Sequence, residues 1–168
     1  MKLKKRHSKG FSLIELLIVV AIILIIAAIA IPNLMQSKIA ANQASAVGSL
    51  RTINTAETTY NSTYNTGFSA SLGVLGAACN SSGAPTSSSA GLIDCVLSNG
   101  GSGNASTKSG YSFTYSAASA VNSQVPSYTL SAVPINSSTG QNGYYTDQSD
   151  VIRYDTSGSP SSASTPIG

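Results

Sequence analysis

From Phe11 to Ile31 nearly every position is Leu, Ile, Val or Ala, and the polar exceptions, Ser12 and Glu15, stand at the very start. A run that is apolar all round reads as a helix in an apolar medium rather than one lying on a core. Its 21 residues extend roughly 31 Å at about 1.5 Å per residue, the thickness of a membrane's hydrocarbon layer. After Pro32 the pattern turns amphipathic. Ile39, Ala46, Val47, Leu50, Ile53, Glu57, Tyr60 and Tyr64 recur mainly at three- and four-residue spacing, a stripe suited to one face of a folded head. The stretch NTGFSASLG ends the helix, with Gly67 its first strong breaker. One helix from Phe11 to Asn65 would span roughly 80 Å, so its N-terminal half is expected to project from a head of this size.

Beyond residue 68 the chain is rich in Ser, Gly, Ala, Asn and Thr. Three segments alternate in the manner of strands: YSFTYSA from Tyr111, PSYTLSAVPI from Pro126 and GYYTDQSDVIRYD from Gly143. The last reads as a hairpin turning around Asp147 to Asp150, with Val151 and Ile152 opening the return strand. The expected fold class is α+β: a long N-terminal helix whose amphipathic half packs on a small antiparallel sheet. The boundaries read as a basic leader over 1–10, a membrane or filament-core half-helix over 11–32, an amphipathic half-helix over 33–66, a head over 67–156 and a flexible polar tail over 157–168.

Charge sharpens this division. The 168 residues carry a formal net charge of +3, but Lys2, Lys4, Lys5, Arg6 and Lys9 supply five of the nine cations. Without residues 1–10, Lys38, Arg51, Lys108 and Arg153 face six acids, a net charge of −2. Such a chain has no basic patch to neutralise a row of phosphates, which removes electrostatic support for nucleic-acid binding. A positive opening followed by an apolar run is the layout of an export signal. Three fates fit it: a secretory signal cut after Ala30, where Ala28 and Ala30 have the small-residue spacing; a plain membrane anchor; or a fate set by the residues around Gly10.

Those residues, Gly10, Phe11, Ser12, Leu13, Ile14 and Glu15, followed by an uncharged span that closes on AAIAIP and Pro32, resemble the type IV pilin family, which includes the pseudopilins of type II secretion. The resemblance covers residues 9–32. It implies cleavage between Gly10 and Phe11 by a prepilin peptidase on the cytoplasmic side and methylation of the new Phe11 amine. It further implies an inner-membrane subunit pool and a homo-oligomeric helical filament at the cell surface, built by an assembly platform with a cytoplasmic ATPase. Glu15 acquires a role by it. A charge near the bilayer centre costs on the order of 2 to 4 kcal/mol, less near an interface. An ammonium on Phe11, its own or a neighbouring subunit's, would return roughly 4 kcal/mol at about 4 Å and an effective dielectric near 20. Many members carry Gly in mid-span, where this chain has Leu24. The helix break that the family undergoes on assembly therefore falls to Pro32, which has no N–H to donate. The segment GYYTDQSDVIRYD resembles the C-terminal strand pair of short bacterial pilins.

Other chemistry is sparse. Cys79 and Cys95 bracket a polar loop, and in an exported chain they are expected to pair, a closure of about 15 residues that contributes roughly 3 kcal/mol in the chain-entropy model. Asp147, Asp150 and Asp155 could in principle gather a hard cation, but without further oxygen ligands at defined spacing turn and surface roles are the stronger reading. His7 lies in the leader, so the mature chain has no His to activate its many Ser residues, and neither catalysis nor a cofactor is expected. Tyr60, Tyr64 and Phe68 are spaced as core aromatics rather than as a conducting stack. Within the family, a pseudopilin or minor pilin is the alternative to a pilus subunit; outside it, the alternative is a soluble binding domain cut after Ala30.

Overall fold

The computed structural model describes residues 10–76, 83–101 and 103–167. It divides into two compact units, Met1–Ser37 and Lys38–Gly168. In the first, helix α1 (Leu13–Tyr64) begins. Leu and Ala favour a helix, the many Ile and Val tolerate it, and the side chains from Leu13 to Ile31 are almost all exposed. In the single subunit α1 runs on through Pro32; the break expected there belongs to assembly. Proline removes one rung of the ladder, leaving the Ala28 carbonyl without its usual donor, but a helix this long and apolar carries that loss.

In the second unit α1 buries Ile39, Ala46, Leu50, Ile53, Ala56 and Tyr60, with Asn54 and Glu57 among them. This is the stripe read from the spacing, and Leu50 and Ile53, both fully buried, contribute roughly 2 to 3 kcal/mol each. The helix stops where Asn65 and Gly67 take positive φ angles of 53° and 77°. At Gly67 a Cβ would strike the Val125 backbone, so glycine is required there on both counts. A short helix, α2 (Leu72–Leu75), follows, capped by the Ser71 hydroxyl, which accepts the Val74 N–H at 3.2 Å.

Six strands form one antiparallel sheet in strict chain order: β1 (Ala105–Lys108), β2 (Tyr111–Ala117), β3 (Tyr128–Pro134), β4 (Gly143–Asp147), β5 (Arg153–Asp155) and β6 (Thr165–Pro166). Alternation decides which face is buried. Tyr111, Phe113 and Tyr115 of β2, Tyr128, Leu130 and Ala132 of β3, and Tyr144 and Thr146 of β4 all point inward, and the apolar and aromatic ones join Leu50 and Ile53 in one core. The register pairs Phe113 with Ala132 and Leu130 with Thr146, setting large residues against small ones.

Three details differ from the sequence reading. Strand β1 was not expected, because ASTK offers only four residues and one inward side chain, Ser106. The return strand of the last hairpin begins at Arg153, two residues late, because Asp150 adopts a φ of 59° and prolongs the turn. The tail 157–168, expected to be a flexible polar segment, instead contributes β6. Ile167 is the reason: it packs against the core and its N–H donates to the Ile152 carbonyl at 2.8 Å, drawing Thr165 opposite Tyr154.

Candidate functional site: the start of α1 and the polar clusters of the head

Gly10 and Phe11 precede α1, outside its hydrogen-bond ladder, and Phe11 is 83 % exposed. Ser12 is the boundary. Its carbonyl accepts the Leu16 N–H at 3.2 Å, the first bond of the helix, and its own N–H donates to Glu15 Oε2 at 3.0 Å. An acidic side chain three residues into a helix that reaches back to the boundary N–H is half of a capping box, and its charge also complements the positive end of the helix dipole. The sequence carried this signal in Ser12-x-x-Glu15, and reading the acid only as a counter-charge misses it. One donor does not exhaust a carboxylate, which accepts several, so the group that caps α1 retains capacity for an ammonium. A peptide bond held just ahead of a helix, an exposed aromatic residue and an acid one turn in are what cleavage followed by charge pairing would need.

In the head, Glu57 is fully buried. Its Oε2 accepts the Ser69 N–H at 2.8 Å, and its Oε1 accepts the Ser69 hydroxyl at 2.6 Å and the Tyr115 hydroxyl at 2.6 Å. Burial pushes the carboxyl above the usual Glu range, the Ser69 and Tyr115 bonds offsetting part of that rise. A second cluster centres on Asn54: its amide donates to Thr146 Oγ1 at 2.9 Å and to the Asp150 carbonyl at 3.3 Å, while its oxygen accepts the Tyr128 hydroxyl at 3.1 Å. Burial raises the Tyr115 and Tyr128 phenols as well, and keeps both neutral. The helical stripe pointed Glu57 inward; its partners, 12 and 58 residues away, had no local signal.

The acids near the C-terminus serve turns. Asp147 accepts the Ser149 N–H at 2.9 Å, Asp155 accepts the Ser157 N–H, and Asp150 is near Tyr128. Among the described residues no three His, Cys, Asp or Glu side chains gather as a metal site. Cys95 is half-buried, and Cys79 lies outside the described residues. Aromatic residues form core contacts, Tyr60 with Tyr64, Tyr128 with both Phe68 and Tyr115, and Tyr111 with Tyr144, at centroid distances of 4.9 to 5.9 Å. Phe68 thus leaves the Tyr60–Tyr64 series for the sheet.

Comparison with known proteins converges on the first site. The family model of the prokaryotic N-terminal methylation motif matches residues 5–31. The chain is 62 % identical over 37 residues, 22 % of its length, to the type IV wide pilus major component PilA4 of Thermus thermophilus. It is 46 % identical over 54 residues, 32 % of its length, to the type IV major pilin protein PilA of Myxococcus xanthus. The matched segments span about a quarter of those relatives' lengths, 28 % and 24 %. No solved structure matches the chain significantly.

Proposed function

We propose that this chain, which carries the N-terminal methylation motif of prokaryotic pilins, is a structural subunit of a type IV pilus-like filament. It is made as a precursor, cut by a prepilin peptidase between Gly10 and Phe11, methylated on Phe11 and held in the inner membrane by the apolar half of α1. From there an assembly platform and its ATPase draw it into a homo-oligomeric filament at the cell surface.

The observation that carries this reading is the direct junction of two things: the motif over residues 5–31, and a helix on which large apolar side chains from Leu13 to Ile31 stand exposed, most of them by half or more. Apolar surface on that scale needs a medium, either lipid or the same segment of other copies. Glu15 gives the second medium its order. A subunit entering a water-poor bundle brings one ammonium and one carboxylate, and their pairing across neighbours offsets the burial of both. The head, sparsely charged and rich in Ser and Thr, is suited to a repeated exposed coat. Between the two family roles, the pilus subunit is favoured because one relative is named a wide pilus major component and the other a major pilin.

The test is to shear filaments from cells that make the chain and identify their main component. Recovery of the chain as the repeating subunit, beginning at Phe11, supports the proposal. Its recovery only as soluble protein beginning at Ile31 overturns it in favour of a secreted binding domain.

A further inference from the structure

Glu57 is a buried acid whose three donors are all neutral: the Ser69 N–H, the Ser69 hydroxyl and the Tyr115 hydroxyl. Each hydroxyl also has a second acceptor in reach. Ser69 Oγ lies 3.2 Å from the Ser71 carbonyl, and the Tyr115 hydroxyl lies 2.8 Å from the Ser69 carbonyl. Two complete hydrogen-bond patterns therefore fit one set of atoms. With the carboxyl charged, both hydroxyls donate to Oε1. With it neutral, Oε1 carries the proton and donates to Ser69 Oγ, whose own proton turns to the Ser71 carbonyl, while the Tyr115 hydroxyl still donates to a lone pair of Oε1 or shares its proton with the Ser69 carbonyl. Oε2 keeps the Ser69 N–H in both.

We propose that Glu57, Ser69 and Tyr115 form a proton-storing latch that joins α1, the connection after it and β2 whether the carboxyl is charged or neutral. A buried polar group left unsatisfied weakens a fold, and this cluster leaves none in either state. The surroundings set which state is preferred. From β3, Tyr128 faces the cluster and is neutral; Asp147 at the end of β4 and Asp150 in the turn after it add negative charge near Tyr128. The cations of the described residues have other surroundings: Lys38 and Arg51 of α1 are exposed, Lys108 of β1 pairs with Asp94 at 2.7 Å, and Arg153 of β5 donates to the Ser164 carbonyl at 3.2 Å. Burial without a counter-ion raises the folded carboxyl above its unfolded value. The sign follows: the folded head binds this proton more tightly than the unfolded chain does. Its stabilising contribution is full in acid and is lost as pH rises through the folded-state value. Acid thus leaves this junction closed, where it loosens an ordinary buried carboxylate.

The chain has only two glutamates, Glu15 and Glu57, so glutamate labelled with carbon-13 at the carboxyl gives two resonances in the full-length protein in detergent micelles, assigned with Glu15→Gln. Glu57 is expected to titrate above the ordinary Glu range. Glu57→Gln reproduces the neutral pattern, its amide oxygen facing the Ser69 N–H and its NH₂ donating to Ser69 Oγ. It should unfold with the wild type in acid and gain a few degrees on it as pH rises through that titration. Glu57→Ala should unfold lower at every pH. A Glu57 titration at or below the ordinary range overturns the latch, as does a Glu57→Gln deficit that stays constant or widens as pH rises.

Discussion

The Glu15 carboxylate accepts the Ser12 N–H at 3.0 Å, closing the first turn of α1 from within the same chain. On the proposed function a second duty would fall to the same side chain, compensating an ammonium in the filament besides capping α1 in the isolated subunit. Glu15→Val should leave synthesis, cleavage and membrane insertion intact, since the span becomes more apolar. Filaments should fall sharply, because each subunit would bury an ammonium without its counter-charge, an imbalance of about 3 to 5 kcal/mol. Glu15→Asp, one methylene shorter, should be intermediate. Surface filaments weighed against the membrane pool of cleaved subunit in the same cells give the answer. Normal filaments from Glu15→Val would make the carboxylate a cap and nothing more.

The mature protein should begin at Phe11 with a methylated amine. Intact mass and N-terminal sequencing of native material decide between this start, an uncut chain and a start at Ile31.

Cys79 and Cys95 should be joined in exported protein, closing a polar loop at the cost of its freedom in the unfolded chain. Thiol labelling of unfolded protein without reductant is expected to modify neither. Labelling of both would mean that the head is held by its core alone.

Asn54→Ala should destabilise the head by about 2 to 3 kcal/mol, because it strips partners from the buried Thr146 hydroxyl and from Tyr128 together. Tyr128→Phe removes one hydroxyl and keeps the ring against Phe68 and Tyr115, so about 1 kcal/mol is expected. Unfolding of the full-length protein in micelles measures both, and equal losses would show that the amide's bonds to β4 and the turn after it add nothing.

Periodicity was legible where packing follows a simple rule. Leu50, Ile53 and Tyr60 could be placed on the buried side of α1 from spacing alone, and YSFTYSA matches β2 residue for residue. What escaped was held by pairing rather than by pattern. Ser106 lies in a strand because β2 offers it an edge, and Thr165 because one apolar residue, Ile167, anchors its neighbourhood. At the N-terminal site Gly10, Phe11 and Glu15 carry a local motif, readable without a fold. Glu57 was visible as an inward-facing acid, but only the fold could bring Tyr115 to it.

The strict chain order of the sheet also governs how quickly the head can form. Every strand pairs only with the strand before and after it, and β1 and β2 are separated by just Ser109 and Gly110. Successive hairpins therefore close over short distances at small entropic cost, and no strand has to be threaded between two others. The helix against which the sheet packs, α1, is made first. As the rest of the chain emerges, each new strand meets a template that is already present, so the head can assemble in the order of its synthesis.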